Sequence, residues 1–308
     1  MPRKVAIPLA VVGTAFRTSD GHELGLARGR LRNKDVQHAF HGGSSLGLDH
    51  DSVIQLCRAY EPLLRADQFF SHTTAALLHG IPLPDTSPHP LHVSCTGAAP
   101  PRRAGVSGHQ VEAVGLMFVA GLPVVSAADT WCQLATILCQ EDLVAAGDYL
   151  ISGIRLSGGR RTPPKCSPAE LAAAVQRYGA RRGAVRLVWA LPRLRTGVDS
   201  RMESRLRLLL VAAGLPEPIV GLGILVDHAR LLLHGDLAYE RWQMLFEYEG
   251  DDHRLGRRRF LSDIERRELF EAAQWRVVRV TSNHLFVEPE AFIARVKAII
   301  RLRESASW

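Results

Sequence analysis

Apolar positions recur along the chain with a helical period in some stretches and alternate in others, and the switches between the two patterns outline its elements. Near the start, 18–24 and 26–32 flank Gly25 and predict two short helices around a tight turn, with Ser19 or Asp20 as N-cap. Residues 41–47, HGGSSLG, are glycine-rich but lack the Gly-Lys-Ser/Thr ending of a phosphate loop, and they predict a turn. Val53, Leu56, Cys57 and Tyr60 share one side of a helix over 51–61 that Pro62 stops. Ser71 stands where it would cap a helix through 73–78. Residues 91–95 and 108–114 alternate as strands, Val124-Val125 is strand-like, and Ser126 precedes an apolar helix over 127–138.

Glycine, proline and arginine break the periodicity across 157–168 and mark a boundary. Two helices follow, over 169–178 behind Ser167 and over 183–191. From residue 199 the pattern is denser. Ser200 caps a helix over 201–212 whose Met202, Leu206, Leu209 and Leu210 form an apolar stripe. A strand over 219–225 comes next. An apolar run at 231–233 then leads to Asp236, a turn lies around 239–241, and a second apolar run at 244–246 ends in Glu247-Tyr248-Glu249-Gly250. A helix over 263–273, a strand over 275–280 and a helix over 289–302 complete the chain. The predicted class is α/β (mixed α+β), in three segments: 1–156, 157–198 and 199–308. In the last, the order α-β-β-β-α-β-α packs most simply as a mixed sheet with helices on both faces.

The bulk properties narrow the class. A chain of 308 residues with 46% hydrophobic residues has material for two cores, and no apolar stretch reaches the length of a membrane span. The apolar run after Arg3 and Lys4 is short and is followed by no convincing cleavage site. The five cysteines are odd in number and lack paired metal spacing, so they read as reduced thiols of a cytoplasmic protein. The net charge of +7 is unevenly spread: 151–198 hold 10 basic residues against Glu170 alone. Such a concentration suits a polyanion, or a solvated arginine-rich linker. His72, His79, His89, His92 and His109 show no ligand-like grouping in sequence and read as structural.

The chemistry concentrates at 231–253. Side chains alternate across a strand, so Glu247 and Glu249 share a face. If the runs at 231–233 and 244–246 pair as a hairpin, Asp236 lies beside them. Three carboxylates at the ends of apolar strands repel one another unless a cation sits between them, and hard oxygen ligands suit Mg²⁺ or Mn²⁺. Asp236, Glu247 and Glu249 are the expected ligands.

These residues carry a resemblance. Glu203 on the first helix of the segment, Asp236, Glu247-x-Glu249-Gly250-x-x-His253, Asp263-x-x-x-Arg267 and a strand containing Trp275 together resemble the very short patch repair type of endonuclease domain. That domain belongs to the restriction-endonuclease-like PD-(D/E)xK superfamily, and the resemblance covers roughly 199–303. Residues 71–84 (SHTTAALLHGIPLP) and 126–134 (SAADTWCQL), with the predicted N-terminal helical pair, are similar to the AbiEi-antitoxin-like region that precedes such a domain in actinobacterial proteins. The resemblance implies an αβββαβ core in which Asp236 and Glu247 bind metal and Glu203 supports it. It also implies that Glu249 and His253 act in catalysis. Two departures stand out: no lysine follows Glu247 at the superfamily spacing, and Glu249 replaces the usual aspartate of this branch.

The implied activity is hydrolysis of DNA phosphodiesters, with Arg254, Arg257, Arg258 and Arg259 holding phosphates. If the N-terminal pair is a helix-turn-helix, Arg28, Arg30 and Arg32 lie on its second helix and face DNA. The alternative is a non-catalytic, antitoxin-like DNA-binding regulator on a degenerate nuclease fold, with a toxin as a further partner.

Overall fold

The computed structural model describes residues 12–27, 29–97, 99–112, 114–156, 160–226, 231–249 and 257–305, with the backbone alone over 257–264. It is a mixed α/β protein, as the periodicity predicts, and it divides into two compact units. The units interleave along the chain. Residues 1–138 and 166–188 form the first, and 139–165 and 189–308 the second.

The first unit begins with strands β1 (Ala15–Arg17), β2 (Val36–Gln37) and β3 (Gly43–Leu46), in the order β1-β3-β2. The expected helical pair is absent. Thr18–His22 and Arg30–Arg32 are single 3-10 turns. Gly21, Gly25 and Gly29 each disfavour a helix by about 1 kcal/mol, and Gly21 lies so close under Leu31 that a Cβ there would meet the leucine methyl at 2.9 Å. Leu26 instead turns inward to pack with Phe16, Val36 and Leu46. The glycine-rich run expected to be a turn supplies β3, the central strand, whose Ser44 and Ser45 are buried.

Helix α1 (Val53–Tyr60) leads to a five-stranded sheet of order β6-β5-β4-β8-β7. Its strands are β4 (Gln68–Phe70), β5 (Leu91–Cys95), β6 (Val106–Gln110), β7 (Leu116–Val119) and β8 (Leu122–Val125). Between β7 and β8, Ala120 and Gly121 both take positive φ, as a two-residue hairpin turn requires. Helix α2 (His72–Leu78) packs on β5, and α3 (Ala127–Leu134) packs on α2 with Trp131 wholly buried. Leu56, Tyr60, Phe70, Leu91, Val93 and Val124 fill the core.

The apolar helix expected over 127–138 ends at Leu134, and a separate helix, α4 (Gln140–Ser152), follows in the second unit. Helix α5 (Pro168–Tyr178) returns to the first unit behind a reciprocal cap between Ser167 and Glu170 and packs on α3. Helix α6 (Ala184–Ala190) runs to the changeover at residues 188 and 189.

In the second unit α4 lies against α7 (Arg201–Ala212). Asp148, fully buried on α4, accepts hydrogen bonds from Ser204 Oγ at 2.7 Å, Arg207 Nη2 at 3.0 Å and the Arg195 backbone N–H at 2.6 Å. Asp142, one helical face further, takes Arg201 and Arg205 at 2.7 and 2.6 Å. These ion pairs give the physical reason that 139–165 sit apart from the 1–156 segment expected from the sequence: the acids of α4 answer the arginines of α7.

Strands β9 (Ile219–Val220), β12 (Leu237–Tyr239), β13 (Met244–Tyr248) and β14 (Arg276–Val280) form one sheet, β14-β13-β12-β9. Pairing is antiparallel except between β13 and β14. Leu237, Tyr239, Met244, Phe246, Val278 and Val280 face α7 and the last helix, α10 (Pro289–Ser305). Ala238, Leu245 and Val277 face Phe270 of α8 (Arg257–Ala272). A short helix, α9 (Ser282–Phe286), precedes α10.

The expected hairpin is corrected in one respect. The run at 231–233 lies in β11 (Leu231–His234), which pairs with β10 (Gly223–Val226) as a separate ribbon, and the partner of β13 is β12. The strand expected over 219–225 is likewise divided between β9 and β10.

Removing one member of a buried ion pair strands the other, so Asp148→Ala is expected to lower the unfolding free energy by about 3–5 kcal/mol. Asp148→Asn, which keeps one of the two acceptor oxygens, for either the Arg195 N–H or the Ser204 hydroxyl, is expected to lower it less. Urea unfolding of the full chain measures both, and an Asp148→Ala variant as stable as the unaltered chain would contradict the electrostatic account.

Candidate functional site

The register that joins Leu237 to Phe246 places Asp236 opposite Glu247, one step beyond the last paired residues. The Tyr248 backbone N–H donates to Asp236 Oδ2 at 2.9 Å and fixes the carboxylate at the strand end. Glu203 enters from the first turn of α7, where it is buried. Its backbone N–H is capped by Ser200, and its Oε2 accepts from the Asp199 N–H at 3.0 Å. Burial and the Asp236 charge push the Glu203 carboxyl up to about 8. Burial likewise raises Asp236, to about 6, with Glu247 adding repulsion against the opposing pull of the Tyr248 N–H and Arg266. Glu203, Asp236 and Glu247 thus form a linked run of acids at one end of the sheet.

The other expected members behave differently. Glu247 pairs with Arg266 of α8 at 3.1 Å, and that arginine also donates to the His234 carbonyl and lies over the Phe270 ring. Glu249, carried past the end of β13, is engaged by Arg279 of β14. Asp236, Glu247 and Glu249 do not draw together as closely as three ligands of one ion; among the described residues only the histidine trio below has three donor atoms within 4.8 Å. Each glutamate has a protein cation where the sequence suggested a shared metal.

His253 and Arg254 lie outside the described residues, as does Arg28. Arg257, Arg258 and Arg259 open α8, with only their backbone described. Arg30 does not face DNA: its guanidinium is buried and makes a two-pronged pair with Asp35 at 2.6 and 2.8 Å. The absence of a helix-turn-helix removes the reason for placing it outside. Arg32 is exposed at the end of a 3-10 turn.

The basic stretch 151–198 is largely spoken for within the units. Arg155 and Arg161 hold Asp199, and Arg195 holds Glu217. Arg177 and Arg181 pair with Asp129 and Glu112, and Arg186 donates to the carbonyls of Ala135 and Leu138. A local surplus in sequence is a structural network in space. No helix among the described residues is long and apolar enough to cross a membrane.

One grouping escapes sequence reading. His72 at the start of α2, His92 on β5 and His109 on β6 meet in the first unit. His92 Nδ1 and His109 Nε2 are 2.9 Å apart, and the His72 ring stacks on that of His109 at 3.8 Å between centroids. Burial and mutual repulsion lower His72 to about 3 and His92 to about 4, so these imidazoles are neutral near pH 7. His72 and His109 line a cavity of about 520 Å³ with Gln133, Asp129, Arg177 and Arg181. The alternation of β5 and β6 was legible, but their parallel pairing, which sets His92 opposite Ser107 and diagonal to His109, was not.

Comparison with known proteins adds relatives without a function. The chain is 26% identical over 223 residues to two proteins of Mycobacterium tuberculosis, uncharacterized protein Rv2248 (strain H37Rv) and uncharacterized protein MT2308 (strain CDC 1551). The match covers 72% of this chain and 78% of each of those proteins. No family model and no solved structure matches.

The raised carboxyls make a pH prediction. A carboxyl whose folded value lies above its unfolded one favours folding at low pH, and that contribution is lost as pH rises through the folded value. For Asp236 and Glu203 the loss runs from about 4 up to about 6 and about 8. In metal-free buffer the unfolding free energy is expected to fall between about pH 5 and about pH 8, and Glu203→Gln is expected to reduce that fall by roughly 1 kcal/mol or more. Chemical unfolding across this range checks it, and an unchanged slope in the variant would remove Glu203 as the cause.

Proposed function

We propose that this chain is a metal-dependent endonuclease that hydrolyses phosphodiester bonds in DNA. The observation that carries the reading is the order α7-β9-β12-β13-α8-β14, with the separate β10-β11 ribbon inserted after β9 and with β14 parallel to β13, which groups Glu203, Asp236 and Glu247 at one end of the sheet. This supports the αβββαβ core that the resemblance implies, with the acids on the corresponding elements.

The acids suit a hard divalent cation, because such an ion would offset the burial, and the added repulsion between neighbouring acids, that hold the Glu203 and Asp236 carboxyls up. Asp236 and Glu247 would hold Mg²⁺ or Mn²⁺, and Glu203 would support them. A bound ion of this kind polarises a phosphoryl oxygen and lowers the pKa of water. Glu203, carrying a proton near neutral pH, keeps a second full charge away from Asp236 and would release that proton if a cation were held beside it. Arg266 supplies a cation beside Glu247, where no lysine follows in the sequence. Tyr248, through its backbone N–H, holds the Asp236 carboxylate in place.

A second reading draws on the ion pairs of Glu247 with Arg266 and Glu249 with Arg279. With both glutamates answered by protein cations, the fold serves as a scaffold, and the chain is a non-catalytic, antitoxin-like DNA-binding regulator with a toxin as its protein partner.

Mn²⁺ titration of the full chain separates the two, with Asp236→Asn as the control. Saturable binding that the variant loses is expected, together with Mn²⁺-dependent nicking of duplex DNA that falls roughly a hundredfold or more in the variant. If the unaltered chain binds no Mn²⁺, alone or with DNA, the nuclease reading fails in favour of the regulator.

A further inference from the structure

The second site lies in the other unit and is independent of the acids. We propose that His72, His92 and His109 bind a divalent transition metal ion of the zinc type, with the remaining coordination open to the adjoining cavity for an oxygen-bearing ligand.

The first support is donor geometry. Two nitrogens that share one tetrahedral zinc at about 2.0–2.1 Å each lie about 3.3 Å apart, a few tenths of an ångström wider than the pair here. His92 Nδ1 and His109 Nε2 stand at 2.9 Å, and all three histidines offer donor atoms within 4.8 Å of one another. Imidazole nitrogens select zinc, copper, nickel or cobalt over magnesium and calcium. The bland alternative is a proton shared between His92 and His109, and it accounts for that contact alone. It leaves the convergence of His72 without a reason.

His72 supplies the second support. Its φ is +48, a left-handed conformation that a side chain this large adopts under constraint. The constraint is visible on both sides. Gln133 Oε1 accepts the His72 backbone N–H at 2.9 Å, and Ser71 Oγ lies 3.0 Å from His72 Nδ1. Ser71 occupies the N-cap position of α2, yet its hydroxyl makes no capping bond to the helix and attends the imidazole instead. With Nδ1 tied to Ser71, Nε2 is the free donor. A hydrogen bond on the far nitrogen is how proteins orient a metal-ligating histidine. The strands contribute similarly: the Ser71 N–H donates to the His92 carbonyl at 3.0 Å, and the His92 N–H donates to Thr74 Oγ1 at 2.8 Å, fixing β5 to the start of α2.

The third support is the cavity. His72 and His109 line it, so two of the three histidines border empty space rather than filled core. Gln133 lines it too, and with Oε1 committed to His72 its amide nitrogen is buried without a partner. A buried donor of this kind is disfavoured by about 1–3 kcal/mol unless something accepts from it. An oxygen atom of a ligand held beside the histidines would do so. Arg177 and Arg181, paired with Asp129 and Glu112 at the same cavity, balance charge there and leave the metal as the net positive centre.

The test uses the full chain freed of metal with a chelator, and Zn²⁺ and Co²⁺ as probes. One equivalent of Zn²⁺ is expected to bind, measured by competition with a chromogenic chelator. Co²⁺ is expected to give the intense visible absorption of a nitrogen-ligated, low-coordinate ion. His92→Gln and His109→Gln should each weaken Zn²⁺ binding by more than about a hundredfold. Ser71→Ala, which leaves all three ligands, should weaken it about tenfold. Asp236→Asn should leave in place the equivalent of Zn²⁺ that the histidine variants weaken, and any further equivalent that it alone removes belongs to the acidic site. The absence of saturable Zn²⁺ binding by the unaltered chain overturns the proposal, as does binding that only Asp236→Asn removes. Should the histidine variants fail to fold, the Co²⁺ spectrum of the unaltered chain decides: weak absorption like that of the hydrated ion refutes the site.

Discussion

The second unit depends on a charge that has no access to water. Asp148 and Arg207 are both fully buried, and neither would be tolerated there without the other. Their pairing is completed from three directions, by Ser204, by the Arg195 backbone and by Glu217 on the second arm of the guanidinium. It therefore specifies where α4, α7 and the chain entering α7 must lie. Apolar packing alone would allow α4 to slide along α7; a buried ion pair held by directed hydrogen bonds allows one register. Glu203 sits on the same helix as Arg207, so the position of the candidate acid is set by a contact made one turn away.

Local elements were legible from the sequence, and long-range partnerships were not. The helix over 201–212 was read with its cap, because Ser200 and the spacing of Leu206, Leu209 and Leu210 are local signals. The strand at 244–248 is legible for the same reason. The partner of that strand differs from the one the sequence suggests, because 231–233 and 237–239 are both apolar and only the completed sheet decides between them. The N-terminal pair failed through glycine: side-chain periodicity suggested helices, while Gly21 was needed for the close approach of Leu31.

The histidines show the same limit from the other side. His72, His92 and His109 are 20 and 17 residues apart and share no motif. Parallel pairing of β5 with β6, and a left-handed residue at the start of α2, bring them together. A positive φ at a non-glycine residue is invisible in composition, and parallel register is set by tertiary structure. The arginines of 151–198 mislead for a related reason. Sequence shows their number, but most of their acid partners lie outside that stretch.

The interleaving of the two units has a consequence for how the chain is made. Synthesis runs from residue 1, so the acids of α4 emerge 59 residues before Arg201 and Arg207, the arginines that will neutralise them. During that interval Asp142 and Asp148 are free carboxylates on a helix without its partner. The first unit, meanwhile, waits for α5 before α3 is covered. Neither unit can finish as an uninterrupted stretch of nascent chain. A ribosome pausing between residues 165 and 188 would hold both incomplete, so folding order here is a matter of translation as well as of contacts.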